Sequence, residues 1–331
     1  MTREIATAAA ATAPMRVFAS RKLWLLLLAT AYLVAAAIAW QRADATTSAM
    51  LKALPPAVIL GLLLLSLLNY GVRSWRWVYL SSLMRLQLPV RDNVLYYLAG
   101  YGLTATPGKA GEAVRLWFMR TGHGIGYARS LPLMLADRVL DVWAVLLLTV
   151  AGLYGFAQYR WQAALLVIVV AAVSMPLLFA RRFEPLIGLA GRWLRKRQRV
   201  RARQMLRALQ RLSSWRGYGL TLLPSIIGWL AEGAALYILL RHLNADITLM
   251  QAVFVFSFAM IVGALSMLPG GLGSTEVTMV VMLTALGIDL DVAVVSTAIV
   301  RITTFWFAVA IGAALLPLAT KRARVARAGT A

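Results

Sequence analysis

The chain has 331 residues, of which 61% are hydrophobic and only 14% are charged, and it contains no cysteine. A water-soluble domain carries about 25% charged residues, so this composition excludes a soluble protein, and the lack of cysteine excludes disulfides and thiolate metal sites. The net charge of +22 would suggest nucleic-acid binding in a soluble protein, but here membrane topology explains it better.

Long apolar segments predict an all-α polytopic membrane protein, since about 20 apolar residues in a helix span the hydrocarbon core. Six segments are predicted to cross completely: Leu23–Trp40, Leu54–Trp75, Leu131–Phe156, Ala163–Phe179, Leu220–Leu240 and Ala293–Leu318. The first one resembles a signal peptide, but its length favours an uncleaved helix. We therefore expect a cytoplasmic tail at residues 1–22, one membrane domain at residues 23–318 and a basic cytoplasmic tail at residues 319–331.

Two further apolar stretches are interrupted by proline and glycine. The first, Asn93–Thr106, is followed by Pro107 and Gly108 and resumes near Gly111; the second, Leu249–Leu268, is followed by Pro269, Gly270, Gly271 and Gly273 and resumes near Thr275. Such breaks persist inside a membrane only where protein or water covers the freed backbone groups. The pattern predicts two re-entrant hairpins of half-helices with a polar cavity between them.

Basic residues are concentrated in the segments predicted to be cytoplasmic. If each hairpin returns to its own side, about 26 of the 34 Lys and Arg residues, including four between Gly71 and Asp92, lie on that side, as the positive-inside rule requires. We expect a bacterial cytoplasmic (inner) membrane protein with both termini in the cytoplasm.

The basic stretch at residues 181–216 is predicted to form a cytoplasmic connector helix. Its apolar residues fall on one helical stripe: Phe183, Leu186, Leu189, Trp193 and Leu194. This arrangement favours binding to anionic lipid headgroups. A protein or nucleic-acid partner is the alternative, and we expect no nucleic acid.

The two broken segments are similar to each other. The matching residues are Pro107 and Gly108 with Pro269 and Gly270, Glu112 with Glu276, and Arg138 with Arg301. The predicted topology gives the two segments opposite orientations, which is the inverted repeat found in many transporters.

Ionisable residues in or beside the apolar segments are the candidate functional residues, because a charge in hydrocarbon costs at least about 2.5–3.5 kcal/mol. The predicted substrate-pathway residues are Lys109, Glu112, Arg115, Asp137, Arg138, Asp141, Glu232, Ser274, Thr275, Glu276 and Arg301. Half-helix N-termini near Gly111 and Thr275 favour an anionic headgroup. Glu112 and Arg115 are three residues apart, so a helix allows them to pair. The alternatives to a pathway role are such structural ion pairs and, for Ser274, Thr275 and Glu276, ordinary helix capping.

The sequence contains no catalytic constellation, so we expect no enzyme activity and no cofactor. The two histidines, His123 and His242, argue against a histidine-based zinc site. Carboxylate pairs are able to do acid–base work, but nothing in the sequence supplies a nucleophile.

The motifs around both breaks resemble a known family. The sequence Pro107-Gly108-Lys109-Ala110-Gly111-Glu112-Ala113-Val114-Arg115, followed by Ala136-Asp137-Arg138-Val139-Leu140-Asp141, and the later Leu268-Pro269-Gly270-Gly271-Leu272-Gly273 with Glu276 and Arg301, carry this resemblance. They are similar to the lysylphosphatidylglycerol synthase transmembrane region, also called the flippase-like domain family.

The resemblance implies an integral membrane domain with re-entrant helices. In multidomain members this domain accompanies a cytoplasmic aminoacyl-transfer domain and moves the aminoacylated phospholipid to the outer leaflet. The chain ends at Ala331, so we expect a stand-alone member, some of which are associated with hopanoid or polyprenyl-linked glycolipid pathways. The resemblance implies these cavity residues: Glu112, Arg115, Asp137, Arg138, Asp141, Glu276 and Arg301.

The leading hypothesis is a translocator that moves a lipid with a polar or anionic headgroup between leaflets. One alternative is a non-transporting membrane partner of a lipid-modifying enzyme, acting through residues 181–216. Another is a polytopic lipid transferase that uses the intramembrane carboxylates.

Overall fold

The computed structural model describes residues 54–106, 111–153, 160–178, 196–214 and 218–328. Within these ranges the chain is helical and contains no β-strand. The helices are α1 (Pro56–Leu83), α2 (Val90–Gly100), α3 (Val114–His123), α4 (Tyr127–Gly152), α5 (Arg160–Leu178), α6 (Lys196–Leu212), α7 (Leu220–His242), α8 (Leu249–Leu265), α9 (Ser274–Ala285), α10 (Leu290–Arg301) and α11 (Phe307–Ala328). The all-α prediction is confirmed.

Among the described residues, three stretches of helix are long and apolar enough to cross a membrane: α1, α7 and the run Leu290–Arg327. A π turn at Ile302–Trp306 joins α10 to α11 within that run. Helix α1 starts where the sequence has Pro55 and Pro56, because proline is tolerated at the first helical position, where its missing N–H is not needed. The predicted crossing Leu23–Trp40 lies outside the described residues.

Helix α1 is longer than the crossing predicted at Leu54–Trp75, because it continues to Leu83. Arg73 and Arg76 are therefore buried in the helix and do not belong to a cytoplasmic loop. The sequence predicts both arginines among the cytoplasmic basic residues, and the structure places them inside α1. A hydropathy profile ends a predicted crossing where charged residues occur. In the structure, acidic residues of α4 pair with Arg73 and Arg76, as described below.

The first broken segment, residues 90–123, consists of α2, a 3₁₀ turn at Tyr101–Leu103 and α3. Pro107, Gly108 and Lys109 lie outside the described residues, and Gly111 precedes α3 in a short 3₁₀ turn. The two arms are in contact with each other. This arrangement agrees with a helix interruption where the sequence predicts one.

The first broken segment packs along α11 at two levels. Gly102 and Gly312 bring the two backbones together so closely that a Cβ on Gly312 would lie 1.9 Å from the amide nitrogen of Gly102. The second level lies near the start of α2 and the end of α11. There the Asp92 carboxylate accepts a hydrogen bond from Arg322 Nε at 2.8 Å and lies 3.4 Å from His123 Nε2. Burial lowers the pKa of His123, and the Asp92 carboxylate offsets part of this effect.

The second broken segment, residues 249–285, consists of α8, a 3₁₀ turn at Pro269–Gly271 and α9. Gly270, Gly271 and Gly273 have φ values of 63°, 69° and 84°. Residues with a Cβ rarely adopt such values, so these glycines allow the chain to reverse between the arms. Helix α8 packs against α4 and α7, and α9 packs against α8 and α10.

Helix α6 covers part of the predicted connector and packs against α4. Its Leu206 and Leu209 are buried, and Arg211 donates to the carbonyl oxygen of Met84 at 2.8 Å. Arg199, Arg203 and Arg207 are exposed. The apolar stripe predicted at residues 183–194 lies outside the described residues.

Candidate functional site

A buried ion network joins α1 to α4. Arg76, which is completely buried, donates to Asp137 Oδ1 from Nε at 3.1 Å and to Asp141 Oδ1 from Nη1 at 2.9 Å. Its Nη1 also donates to the hydroxyl of Ser225 on α7. The network holds three helices together through the fixed fork of one guanidinium group.

Arg73 lies one turn before Arg76 and binds the same acidic helix. Its Nη2 atom lies 2.6 Å from Asp141 Oδ2, and its guanidinium lies 5.1 Å from the centre of the Trp229 ring. Trp229 in turn donates from Nε1 to Asp141 Oδ1 at 3.3 Å. Asp141 is therefore held by groups from both α1 and α7.

The start of α3 is attached to this network through carboxylates. Arg138 Nη2 lies 3.3 Å from Glu112 Oε2 and 2.7 Å from Asp137 Oδ2. Arg115 Nη1 lies 2.9 Å from Glu112 Oε2, Arg115 Nε donates to the Tyr97 carbonyl oxygen at 3.0 Å, and the guanidinium lies 4.0 Å from the centre of the Tyr97 ring. The predicted pairing of Glu112 with Arg115 is confirmed.

The ion network contains four arginines and three acidic residues. Arg73, Arg76, Arg115 and Arg138 contact Glu112, Asp137 or Asp141, and all but Arg138 are buried. Buried charges are tolerated only when they are paired and hydrogen-bonded. The close pairing explains how these side chains are accommodated among apolar helices.

A second ion pair occupies the matching position in the second broken segment. Arg301 Nε lies 2.6 Å from Glu276 Oε1, and Arg301 Nη2 donates to the Gly270 carbonyl oxygen at 3.3 Å. Glu276 and Arg301 are the counterparts of Glu112 and Arg138, which also contact each other. Each segment thus carries a glutamate–arginine pair that joins its second arm to the helix that follows.

Helix capping at α9 differs from the expectation. The N-cap residue is Gly273, whose amide donates to Glu276 Oε2 at 2.7 Å. Ser274 is already inside the helix, where its hydroxyl donates to the Gly271 carbonyl oxygen at 3.0 Å, and Thr275 is buried against Gly263. Glu276 alone performs the capping expected of the three residues, because the glycine-rich turn takes up the cap position.

A polar cavity of about 50 Å³ lies between the two broken segments. Its charged walls are Arg73, Glu112, Glu232 and Arg301, and the other lining residues are Asn69, Tyr70, Tyr101, Thr104, Trp229, Phe256, Met260, Thr304, Phe305 and Ala308. Asn69 donates through Nδ2 to Glu232 Oε1. Within the described chain, the Asn69 Oδ1 and Arg73 Nε atoms have no hydrogen-bond partner. Both atoms are buried, so a polar ligand would reach them only if the cavity walls move.

The predicted site residues divide into three groups. Glu112, Glu232 and Arg301 line the cavity. Arg115, Asp137, Arg138 and Asp141 form the ion network that holds Glu112 and Arg73 in place, and Glu276 holds Arg301. Ser274 and Thr275 do not line the cavity, and Lys109 lies outside the described residues.

Sequence reasoning missed the contribution of α1. Asn69, Arg73 and Arg76 are buried in the site, yet none was a candidate. A signal for two of them was present, because Arg73 and Arg76 are three residues apart while Asp137 and Asp141 are four apart, so that each pair lies on one helical face. Two such faces with opposite charge predict that the helices pack together.

No group of three or more metal-ligating side chains that could hold an ion occurs in the described ranges. Arg76 beside Asp141 and Arg138 beside Asp137 supply the positive charge that a metal ion would otherwise supply.

Comparison with known proteins identifies the family. The model of the lysylphosphatidylglycerol synthase TM region matches residues 22–312. The chain belongs to this family. The match includes both broken segments and every residue that lines the polar cavity, so the resemblance carried by the motifs is confirmed.

Two relatives within the lysylphosphatidylglycerol synthase TM region family are UPF0104 membrane proteins. A UPF0104 membrane protein of Methanothermobacter thermautotrophicus is 25% identical over 295 residues, which is 81% of this chain and 87% of the relative. A UPF0104 membrane protein of Pyrococcus horikoshii is 25% identical over 323 residues, which is 89% of this chain and 96% of the relative. The similarity therefore extends over nearly the whole of both proteins.

Proposed function

We propose that this protein moves a lipid with a polar headgroup from one leaflet to the other. The headgroup crosses through the polar cavity, while the hydrocarbon tail stays in the bilayer. The polar cavity carries the proposal, because it brings Glu112 of the first broken segment, Arg301 beside the second, and Arg73 and Glu232 of two membrane-spanning helices around one space. Charged groups in a membrane domain are expensive and mark pathways for polar groups.

The charges of the cavity wall favour a particular headgroup class. Two cationic residues, Arg73 and Arg301, face two anionic ones, Glu112 and Glu232. A purely anionic headgroup would gain from the arginines but would meet the carboxylates. We therefore favour a headgroup that carries both charges or is polar without net charge, which narrows the polar or anionic class predicted from the sequence.

Transport requires the two broken segments to separate. A cavity of about 50 Å³ has room for only a few water molecules, so a headgroup enters only when the walls move. The glycine turn around Gly270 and Gly273 is a suitable hinge, since hinges are short segments that absorb large changes in φ and ψ. An inverted repeat of two re-entrant hairpins would open the cavity to each side in turn.

The membrane in question is, in this proposal, the cytoplasmic membrane of a bacterium, with both termini inside. Helix α6 lies on its cytoplasmic surface, where exposed Arg199, Arg203 and Arg207 bind anionic lipid headgroups. Transport needs no chemical step, and we propose no enzyme activity, no cofactor and no nucleic-acid partner.

A leaflet assay in liposomes tests the proposal. Purified protein is reconstituted with fluorescent phospholipids of zwitterionic, neutral and anionic headgroups, and a membrane-impermeant reductant bleaches the outer leaflet. We expect bleaching beyond the outer half, fastest for the zwitterionic lipid. Glu232→Gln keeps an oxygen that accepts from Asn69 but removes the charge, so it should slow transport at least tenfold, whereas Asp246→Asn at an exposed pair should not.

The same assay has clear negative outcomes. Bleaching that stops at half for all headgroups would overturn transport of common phospholipids. Equal rates for Glu232→Gln, Glu276→Gln and the unmodified protein would show that lipids move elsewhere than through the cavity.

A second candidate function is a non-transporting partner of a lipid-modifying enzyme. The exposed arginines of α6, spaced by four residues, favour it because they form one continuous basic stripe. Replacing Arg199, Arg203 and Arg207 by glutamine, while keeping Arg211 and its bond to Met84, should abolish such a role and leave transport unchanged.

A further inference from the structure

An apolar groove runs along the outer face of α1. It has a volume of about 410 Å³ and lies between Leu67, Trp75 and Val78 of α1, Leu98 of α2 and Ile311 of α11. Its volume falls within the range of about 300–1,000 Å³ typical of ligand pockets. Helix α1 is apolar and long enough to span a membrane, so we expect the groove to face hydrocarbon.

Tyr70 forms the wall between this groove and the polar cavity, because its side chain lines both. The phenol hydroxyl donates to the carbonyl oxygen of Thr304, which lies in the π turn of the helix opposite. The ring lies 5.3 Å from Tyr101 and 6.1 Å from Phe307, measured between ring centres. One aromatic residue thus separates a charged space from an apolar one.

Ser74 adds a polar group to the groove wall. It lies one turn after Tyr70, is 5% exposed, and within the described chain its hydroxyl has no hydrogen-bond partner. Buried hydroxyls in proteins are nearly always paired. Because this hydroxyl is itself buried, it would meet an oxygen at the junction between a lipid's headgroup and its tail only when the groove wall moves.

We propose that the groove holds the hydrocarbon tail of the lipid whose headgroup enters the polar cavity, with Tyr70 as the partition that the lipid passes. The inference rests on the proposed function and adds the tail site to it. The occupant is an acyl or prenyl chain, because no charged side chain among the described residues lines the groove and α1 is apolar enough to lie in lipid. An amphiphile needs an apolar site and a polar site side by side. The groove and the polar cavity meet this need, because they adjoin at Tyr70.

Gly71 offers a sharp test, since it lines the groove and a Cβ there would meet no atom of the described residues within 4 Å. Gly71→Leu fills the groove without disturbing α1, because leucine is a better helix former than glycine. Gly61→Leu is the matched control: Gly61 lies in the same helix, has the same free space and does not line the groove.

Two readouts are taken on all three proteins in liposomes. The first is the leaflet assay described above, in which we expect Gly71→Leu to slow transport at least tenfold and Gly61→Leu to have no effect. The second is photolabelling with a phospholipid that carries a diazirine in its acyl chain, mapped by mass spectrometry. We expect adducts at residues 67–78 that are several-fold fewer in Gly71→Leu than in Gly61→Leu.

The outcomes separate the tail site from the function. If the unmodified protein transports lipid and Gly71→Leu is equally fast, the groove is not on the pathway and the inference is wrong. If no protein transports lipid, the proposed function fails, and unchanged labelling in Gly71→Leu then removes the tail site too. Labelling that Gly71→Leu alone reduces supports the tail site even in that case.

Discussion

At the scale of single residues, pairing within the ion network explains why the membrane domain tolerates buried charges. Arg76 and Asp137 have no exposed side-chain surface, so neither has water as an alternative partner. Taking two charges out of water costs several kcal/mol per ion, which only close pairing and further hydrogen bonds offset. The loss of one partner is therefore far more costly than the loss of a surface pair.

We predict that Asp137→Asn destabilises the protein by about 3–5 kcal/mol, the usual cost of leaving a buried partner without its counter-charge. The free energy of unfolding in mixed micelles measures the effect. Asp246→Asn breaks an ion pair between exposed residues and should leave the stability unchanged. A small effect of Asp137→Asn would mean that Asp141, which also binds Arg76, suffices as its counter-charge.

The residues also show where sequence reasoning succeeded and where it stopped. The pairing of Glu112 with Arg115 followed from their spacing of three and is confirmed. Arg73 and Arg76 were taken for loop charges, because a hydropathy window counts arginines but carries no information on their partners. Asp137 and Asp141, more than 60 positions away, supply those partners, and only the folded chain brings them together.

At the scale of elements, glycine sets how closely the broken segments approach their neighbours. Gly102 in the 3₁₀ turn of the first segment meets Gly312 of α11, backbone against backbone. Because this contact joins two backbones, no flexible side chain is available to move aside for an added Cβ. The break at Pro107 and Gly108 was evident from the sequence, but its packing partner was not, since Gly312 lies in an otherwise ordinary apolar helix.

We predict that Gly312→Ala lowers the free energy of unfolding by about 1–3 kcal/mol, the typical cost of overpacking, because the added Cβ would lie 1.9 Å from the Gly102 nitrogen. The midpoint of thermal unfolding in detergent shows whether Gly312→Ala is less stable than the unmodified protein. Gly61→Ala, with no atom within 4 Å of the new Cβ, serves as the control and should be neutral or stabilising. Equal midpoints for both variants would show that α11 shifts freely away from the first segment.

At the scale of the whole molecule, the two broken segments and the helices between them enclose one polar space. The sequence predicted this cavity from the repeated Pro-Gly motif and from Glu112, Glu276 and Arg301. It also named Glu232 of α7 as a pathway residue, and Glu232 lines the wall. It did not predict that α1 supplies Arg73, since α1 carries no repeated motif. The proposed mechanism also requires each broken segment to begin and end on the same face of the membrane.

We predict that both ends of each broken segment lie on the same face of the membrane. The chain has no cysteine, so single substitutions report accessibility without background. In intact cells an impermeant maleimide should label Asp246→Cys and Asp289→Cys, which lie before and after the second segment. Arg91→Cys and Gly126→Cys, at the two ends of the first segment, should react only after permeabilisation, because the positive-inside rule places them in the cytoplasm. Labelling of one end of a segment but not the other would mean that it crosses fully. The hairpins would then not be re-entrant, and an inverted repeat built on them would be excluded.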